Sequence, residues 1–116
     1  MSLTLNPTWL RTALLAASLA LPGASQPTFA AASSITIDNF TFSPQVLMVP
    51  PGTQVTWTNR DDIPHVVQMV DVAKPPGAHS PPLDTGDHFS FTFTGAGTYR
   101  YFCALHPMMT GTVVVK

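Results

Sequence analysis

The sequence predicts an all-β protein, arranged as a β-sandwich. The chain of 116 residues contains 12 prolines and 7 glycines, and good helix formers are scarce beyond the first thirty residues. Short apolar or alternating segments recur between turn-forming residues at intervals of roughly ten, which is typical of the strands of a sandwich. The length fits one domain rather than two.

Charge and composition exclude several classes of function. Five Lys and Arg stand against six Asp, with no Glu, and the formal net charge is −1. No basic stripe is available to bind a phosphate backbone. The Asp residues are dispersed and form no carboxylate pair suited to hydrolysis. The sequence therefore predicts neither a nucleic-acid-binding protein nor a hydrolase.

The beginning of the chain has the layout of a secretory signal. One arginine precedes an apolar run at residues 13–21, and small residues suited to a signal peptidase follow it. The run is less than half of the roughly 20 residues that a transmembrane helix needs. We expect cleavage after Ala30 or Ala32. Residues 1–30 would then be a cleaved signal peptide, and residues 31–116 a single mature domain of net charge −2 that does not bind the membrane.

Four strands are predicted in the first half of the mature domain. Val55 and Trp57 alternate with polar residues, which is the period-2 pattern of a half-buried strand and places Trp57 in the core. In the first segment two isoleucines share one side, and either Phe40 or Phe42 continues that side. The predicted strands are residues 34–42, 46–49, 53–59 and 66–72.

Three strands are predicted in the second half. Phe89, Phe91 and Phe93 occupy alternate positions, which predicts a core face at strand period. A Gly-Ala-Gly turn follows and predicts an antiparallel hairpin between this strand and the next. The predicted strands are residues 88–94, 98–103 and 110–116, and the predicted loops are the proline-rich residues 73–87 and residues 104–109.

The one cysteine of the chain, Cys103, needs an explanation. Export delivers a protein to an oxidising compartment, where thiols usually pair, yet Cys103 has no partner within the chain. Three explanations are open: a buried inert thiol, an intermolecular disulfide, or a thiolate held by a metal ion.

The residues after Cys103 favour the metal. Cys103, His106 and Met109 are spaced three apart, and Pro107 disfavours a helix, so we expect a loop that directs thiolate, imidazole and thioether toward one point. A Cys with two His and a weak axial Met is the donor set of an electron-transfer copper site. Zinc fits less well, because structural zinc sites use Cys and His without a thioether.

A second histidine is then required, and His65 is the candidate. It follows Pro64 at the entrance to a predicted strand, and a neighbouring strand could bring it to Cys103. Met108 competes with Met109 for the thioether position, because methionine also serves to fill gaps in a core.

At this point the sequence resembles the cupredoxins, the small blue copper proteins, and among them most closely the amicyanin group. The resemblance covers nearly all of residues 31–116. It is carried by Val55-Thr56-Trp57-Thr58-Asn59-Arg60, by Ile63-Pro64-His65, by Gly95-Ala96-Gly97-Thr98-Tyr99 running to Cys103, and by His106-Pro107-Met108-Met109 followed by Gly111.

The resemblance implies a fold and a ligand set. The implied fold is a Greek-key β-sandwich that binds one copper ion per chain. The implied ligands are equatorial His65, Cys103 and His106, with axial Met109 preferred to Met108 because its spacing matches the family.

The implied activity is the shuttling of single electrons in the periplasm by a monomeric carrier that is not an enzyme. Its implied partners are redox proteins, with a dehydrogenase as donor and a c-type cytochrome as acceptor. Copper delivery or copper tolerance is the alternative function. Multicopper oxidases and nitrite reductases resemble repeated cupredoxin domains with a His beside the Cys, whereas Phe102 and Ala104 flank Cys103 here.

Two positions depart from the family pattern. Val66 stands where the family usually has an Asn that ties the two ligand loops together. Leu105 stands where amicyanins have Pro, so it keeps its backbone N–H, and a second N–H aimed at the Cys103 sulfur would favour Cu(I). We expect His106 to be the ligand nearest the surface, within an apolar collar formed by Leu105, Pro107 and Met108 that serves as a docking patch.

Overall fold

The computed structural model describes residues 32–72, 75 and 77–116. The predicted signal peptide, residues 1–30, lies outside the described residues. Across these ranges the chain contains no helix, and so none that is long and apolar enough to cross a membrane. The strands are β1 Ala32–Asp38, β2 Thr41–Ser43, β3 Val46–Val49, β4 Thr53–Asn59, β5 Val67–Met69, β6 His88–Phe93, β7 Gly97–Cys103 and β8 His106–Val115.

The strands form two four-stranded sheets that pack as a sandwich. The order is β2-β1-β4-β6 in the first sheet and β3-β8-β7-β5 in the second. Both sheets are mixed, because β1 runs parallel to β4 and β3 runs parallel to β8, while the other neighbours are antiparallel. From β2 to β7 each successive strand changes sheet, so the connections cross the sandwich as they do in Greek-key folds. The all-β sandwich prediction is confirmed.

The core lies between the two sheets and is centred on Trp57. This side chain is fully buried, and its ring meets Tyr101 of the opposite sheet edge-on at a centroid distance of 5.4 Å. Phe93 is buried beside it, and Phe89 and Phe91 are partly buried against the same cluster. The predicted core positions of Trp57 and of the phenylalanine stripe are confirmed.

The first predicted strand, residues 34–42, is interrupted. Asn39 and Phe40 both adopt left-handed backbone conformations, with φ of 53° and 56°. The chain reverses there, so that β2 pairs antiparallel with β1 and Ile37 lies opposite Phe42. Phe42 therefore enters the core, whereas Phe40 is 51% exposed. Phe42 rather than Phe40 continues the apolar side.

The predicted hairpin at the Gly-Ala-Gly turn is wrong. β6 pairs with β4 in the first sheet, whereas β7 pairs with β8 in the second, so the turn carries the chain across the sandwich. The Tyr99 hydroxyl donates a hydrogen bond to the Gly95 carbonyl at 2.7 Å. A Cβ at Gly95 would lie 3.2 Å from that hydroxyl oxygen. Glycine therefore serves close packing of a tyrosine against the crossing segment, which the sequence pattern does not distinguish from a hairpin turn.

The predicted loop at residues 104–109 is only partly a loop. Two residues join β7 to β8, and Cys103 lies directly opposite His106. The next pair is Phe102 with Thr110, so residues 107–109 form an irregularity within β8. This insertion leaves Met108 94% exposed and Met109 6% exposed.

Candidate metal centre

Three of the four predicted ligands converge at one end of the sandwich. The ligating atoms of His65, Cys103 and His106 all lie within 4.8 Å of one another. Cys103 Sγ is 3.6 Å from His65 Nδ1 and 3.7 Å from His106 Nδ1. His65 and Cys103 are fully buried, whereas His106 is half-buried. As expected, His106 is the imidazole nearest the surface.

The backbone around His65 is held on two sides. His65 N–H donates to the Leu83 carbonyl at 3.1 Å, and Leu83 N–H donates back at 2.8 Å. The buried side chain of Asn59 donates to the carbonyls of Ile63 and Leu83 at 2.9 and 2.8 Å. The buried polar groups of this loop are thereby paired, which keeps the loop in one conformation.

The sulfur of Cys103 receives a backbone hydrogen bond. Val66 N–H donates to Cys103 Sγ at 3.3 Å and so links the strand that carries Cys103 to the loop that carries His65. Val66 lacks the side chain with which the family's Asn ties the two ligand loops together, and its main-chain N–H bond to the sulfur links the two segments here. No bond from Leu105 N–H to this sulfur is found among the described residues. A donor to the sulfur reduces the electron density that a thiolate gives to a metal.

The outer nitrogen of His65 is bound by a carboxylate. His65 Nε2 lies 2.8 Å from Asp61 Oδ2. An ionised carboxylate can only accept, so Nε2–H donates this hydrogen bond, and the tautomer so fixed leaves the Nδ1 lone pair facing Cys103. Burial acts to raise the pKa of Asp61, but hydrogen bonds from the Phe40 and Asn39 N–H groups and from His65 outweigh it and lower the pKa to about 2. Asp61 is therefore ionised at neutral pH.

Phe40 covers both imidazoles from outside. Its ring meets His65 edge-on at a centroid distance of 5.7 Å and His106 edge-on at 5.1 Å. Sequence reasoning missed both Phe40 and Asp61 as site residues. The spacing of Asp61 four residues before His65 was an available signal, but nothing local to Phe40 distinguishes it from the core residue Phe42.

The two candidate methionines occupy different surroundings. Met109 is buried and belongs to the same hydrophobic cluster as Cys103, whereas Met108 is 94% exposed. The burial favours Met109 as a thioether donor.

The donor set suits copper. Two imidazoles and a thiol lie at coordination range of a common point, with a buried methionine three residues further along β8. Soft sulfur ligands combined with imidazole select copper, and oxygen-seeking ions such as magnesium or calcium find no carboxylate among these donors.

Comparisons with known proteins agree with this assignment. The profile of the family described as copper binding proteins, plastocyanin/azurin family, matches residues 30–116. Amicyanin from Paracoccus denitrificans is 44% identical over 71 residues, which is 60% of this chain and 54% of that protein, so the chain spans about half the length of this relative.

Solved structures of related proteins share the fold. A purple cupredoxin from Nitrosopumilus maritimus superposes with a TM-score of 0.67 at 40% identity, covering 72% of this chain and 99% of that one. A copper-containing nitrite reductase from Thermus scotoductus gives 0.70 at 28% identity, covering 80% of this chain but 24% of the enzyme. The chain belongs to the plastocyanin/azurin family of copper-binding proteins, the cupredoxins, and its cofactor is copper.

Proposed function

We propose that this protein carries single electrons between redox proteins through one type 1 copper ion bound by His65, Cys103, His106 and Met109. The observation that carries the proposal is the convergence of two imidazoles and the thiol within 4.8 Å. Copper bound there supplies a one-electron change between Cu(I) and Cu(II), tuned by the ligands and by hydrogen bonds to the sulfur.

The scaffold suits electron transfer because it holds the donors in place. His65 is bonded through its backbone to Leu83, and Cys103 Sγ receives the Val66 N–H. Side chains fixed in this way move little when the charge of the site changes. A small rearrangement lowers the barrier to electron exchange, which is the benefit of a preorganised site.

Partners are proposed to dock over His106. The apolar collar residues Leu105 and Met108 are 50% and 94% exposed, and Phe40 extends the same surface. Apolar patches of this kind mark interaction sites. Electron-transfer encounters bury less than about 1,200 Å² and are transient. The proposed donor is a dehydrogenase and the proposed acceptor a c-type cytochrome, both meeting a monomeric carrier.

Copper delivery or tolerance is the rival function, and burial argues against it. Handing the ion to another protein requires incoming ligands to reach the donors, yet His65 and Cys103 are fully buried. A catalytic role is also disfavoured. The described residues contain one group of three metal-ligating His, Cys or acidic side chains, which is the proposed electron-transfer site itself, so they supply no second metal centre of that kind.

The test is an optical and electrochemical study of the mature protein loaded with copper. We expect an intense thiolate-to-Cu(II) absorption toward the red end of the spectrum, reversible reduction and fast self-exchange. Colourless, labile Cu(I) binding would contradict electron transfer and favour delivery. A Met109→Leu variant should alter the spectrum and potential, while the matched Met108→Leu variant should not.

The periplasmic location is proposed from the predicted signal at residues 1–30. Expression of the full chain in a Gram-negative host, followed by fractionation and mass spectrometry, checks it. We expect a periplasmic product that begins at residue 31 or 33. An uncleaved cytoplasmic product would refute the signal peptide without affecting the copper assignment.

A further inference from the structure

We propose that Asp61 is a positioning residue that joins the buried ligand His65 to a surface cover, the ring of Phe40, so that one carboxylate orients the imidazole and holds the cover over both imidazoles. The inference deepens the proposed function and rests on His65 and His106 as copper ligands.

The Asp61 carboxylate is bonded to three groups at once. Asp61 Oδ1 accepts the Asn39 N–H at 2.6 Å. Oδ2 accepts the Phe40 N–H at 3.0 Å and lies 2.8 Å from His65 Nε2. Asp61 is buried, and these bonds involve an ionised acceptor, which makes them stronger than bonds between neutral groups. One side chain thus connects two segments that lie more than twenty residues apart in the sequence.

The bonds to Asp61 maintain an unusual backbone conformation. Asn39 and Phe40 are consecutive residues with φ of 53° and 56°. This left-handed region is unfavourable for a residue with a Cβ, and asparagine tolerates it better than phenylalanine. Such a conformation persists only where surrounding contacts impose it. The paired N–H groups that point at Asp61 are those contacts, so the turn depends on the carboxylate.

The turn places the ring of Phe40 against the two imidazoles. Phe40 is 51% exposed as a residue, yet its ring lies edge-on to His65 and to His106 at centroid distances of 5.7 and 5.1 Å. An exposed apolar side chain held in that position excludes water from the outer edges of both imidazoles and limits their rotation. Loss of the carboxylate would free the Phe40 ring from its position over the imidazoles. It would also remove the bond that keeps the proton of His65 on Nε2.

The proposal is tested by comparing Asp61→Asn with Asp62→Asn. Both variants remove one negative charge at adjacent positions, but Asp62 is exposed and makes none of these bonds. In the copper-free protein we expect amide hydrogen exchange at Asn39 and Phe40 to rise about tenfold or more in Asp61→Asn. Exchange at Trp57 in the core should stay unchanged, and Asp62→Asn should match the wild type.

Nitrogen NMR of copper-free wild-type protein adds a second measurement. We expect His65 to carry its proton on Nε2, and a population of the Nδ1–H tautomer in Asp61→Asn. Unaltered exchange at Phe40 in Asp61→Asn, a uniform rise that includes Trp57, or an Nδ1–H tautomer in the wild type would each overturn the proposal.

Two further variants keep the test decisive if Asp61→Asn folds poorly. Asp61→Glu retains two acceptor oxygens and should restore part of the protection at Phe40. Phe40→Leu removes the ring but leaves the turn, and in the copper-loaded protein it should shift the reduction potential while Asp62→Asn should not. An unchanged potential in Phe40→Leu would overturn the role of the cover.

These readouts separate the proposal from the proposed function. The exchange and tautomer measurements need no copper, so a wild-type protein that fails to form a blue site would refute electron transfer and leave the Asp61 result standing. Conversely, a blue wild-type protein with an unchanged Asp61→Asn variant would refute only the positioning role.

Discussion

The two imidazoles beside Cys103 lie in opposite surroundings. His65 is fully buried, bridged to Leu83 through its backbone and bonded to Asp61 through its outer nitrogen. His106 is half-buried on the irregular start of β8, between residues that are largely exposed. The same side chain therefore serves two structural purposes within one site.

The comparison indicates a division of roles. An imidazole fixed by the fold preserves the geometry of the site, whereas an imidazole at the surface gives a partner a short path to the centre. The β-sandwich provides both because one ligand comes from a loop packed between strands and the other from a strand end. Variants that treat the two histidines differently test this division.

The largest expected effect is the contrast between His65→Ala and His106→Ala. His65→Ala leaves a cavity and removes one of the hydrogen bonds to the buried Asp61 carboxylate, so the copper-free protein should lose about 3 kcal/mol of unfolding free energy. His106→Ala removes a half-buried side chain and should cost less than about 1 kcal/mol. Urea unfolding of both copper-free variants measures the difference.

Copper binding sharpens the same contrast. His106→Ala opens a gap to solvent, and we expect added imidazole to enter it and restore the blue absorption. No such rescue is expected for His65→Ala, because its position is closed. Equal rescue of the two variants, or equal destabilisation, would contradict the division of roles.

The second effect concerns the strand that carries His106. A Cβ at Gly111 in β8 would lie 2.3 Å from the Cζ and hydroxyl atoms of Tyr101, which is fully buried. Gly111→Ala must displace the tyrosine or β8, and we expect a loss of about 1–3 kcal/mol together with an altered copper spectrum. Gly95→Ala is the control, because its Cβ would meet the Tyr99 hydroxyl at 3.2 Å and needs only a small adjustment. Thermal unfolding and absorption spectra measure both.

Sequence reasoning identified the parts of the site that lie close together in the chain. Cys103, His106 and Met109 occupy one short segment, and their chemistry and spacing are visible there. The contributions of Asp61 and Phe40 depend on two consecutive residues in the left-handed conformation. Because neither residue is glycine, no local sequence pattern predicts that conformation.

The misassigned hairpin has a similar cause. A glycine-rich turn is compatible with a hairpin and with a crossing between sheets, and the Tyr99 hydroxyl bond to Gly95 that accompanies the crossing forms only in the folded protein. The alternation of side chains was enough to predict that the segments are strands. It could not predict which sheet each strand joins, because that depends on contacts across the sandwich.

A third effect is expected around the half-buried imidazole of His106. Leu105→Lys or Met108→Lys places a charge in the apolar collar, so electron exchange with a partner should slow by about tenfold while the blue absorption persists. Met48→Lys is the matched control, because Met48 is 59% exposed but pairs with Val114 near the far end of β8. Stopped-flow kinetics measure the exchange rate. Equal slowing in all three variants would indicate a general charge effect instead of docking over His106.

The smallest effect is expected at Asp61, the carboxylate bonded to the buried imidazole, and concerns how the unfolding free energy depends on pH. Burial acts to raise the pKa of Asp61. The hydrogen bonds from the Phe40 and Asn39 N–H groups and from His65 together outweigh it and lower the pKa from 3.8 to about 2. A carboxyl whose pKa is lower in the folded protein stabilises the fold above its unfolded pKa, and this contribution is lost as pH falls from about 4 toward 2. The unfolding free energy of copper-free protein should therefore decline less steeply over this interval in Asp61→Asn than in Asp62→Asn. Parallel declines would show that the carboxylate does not stabilise the buried side of the site.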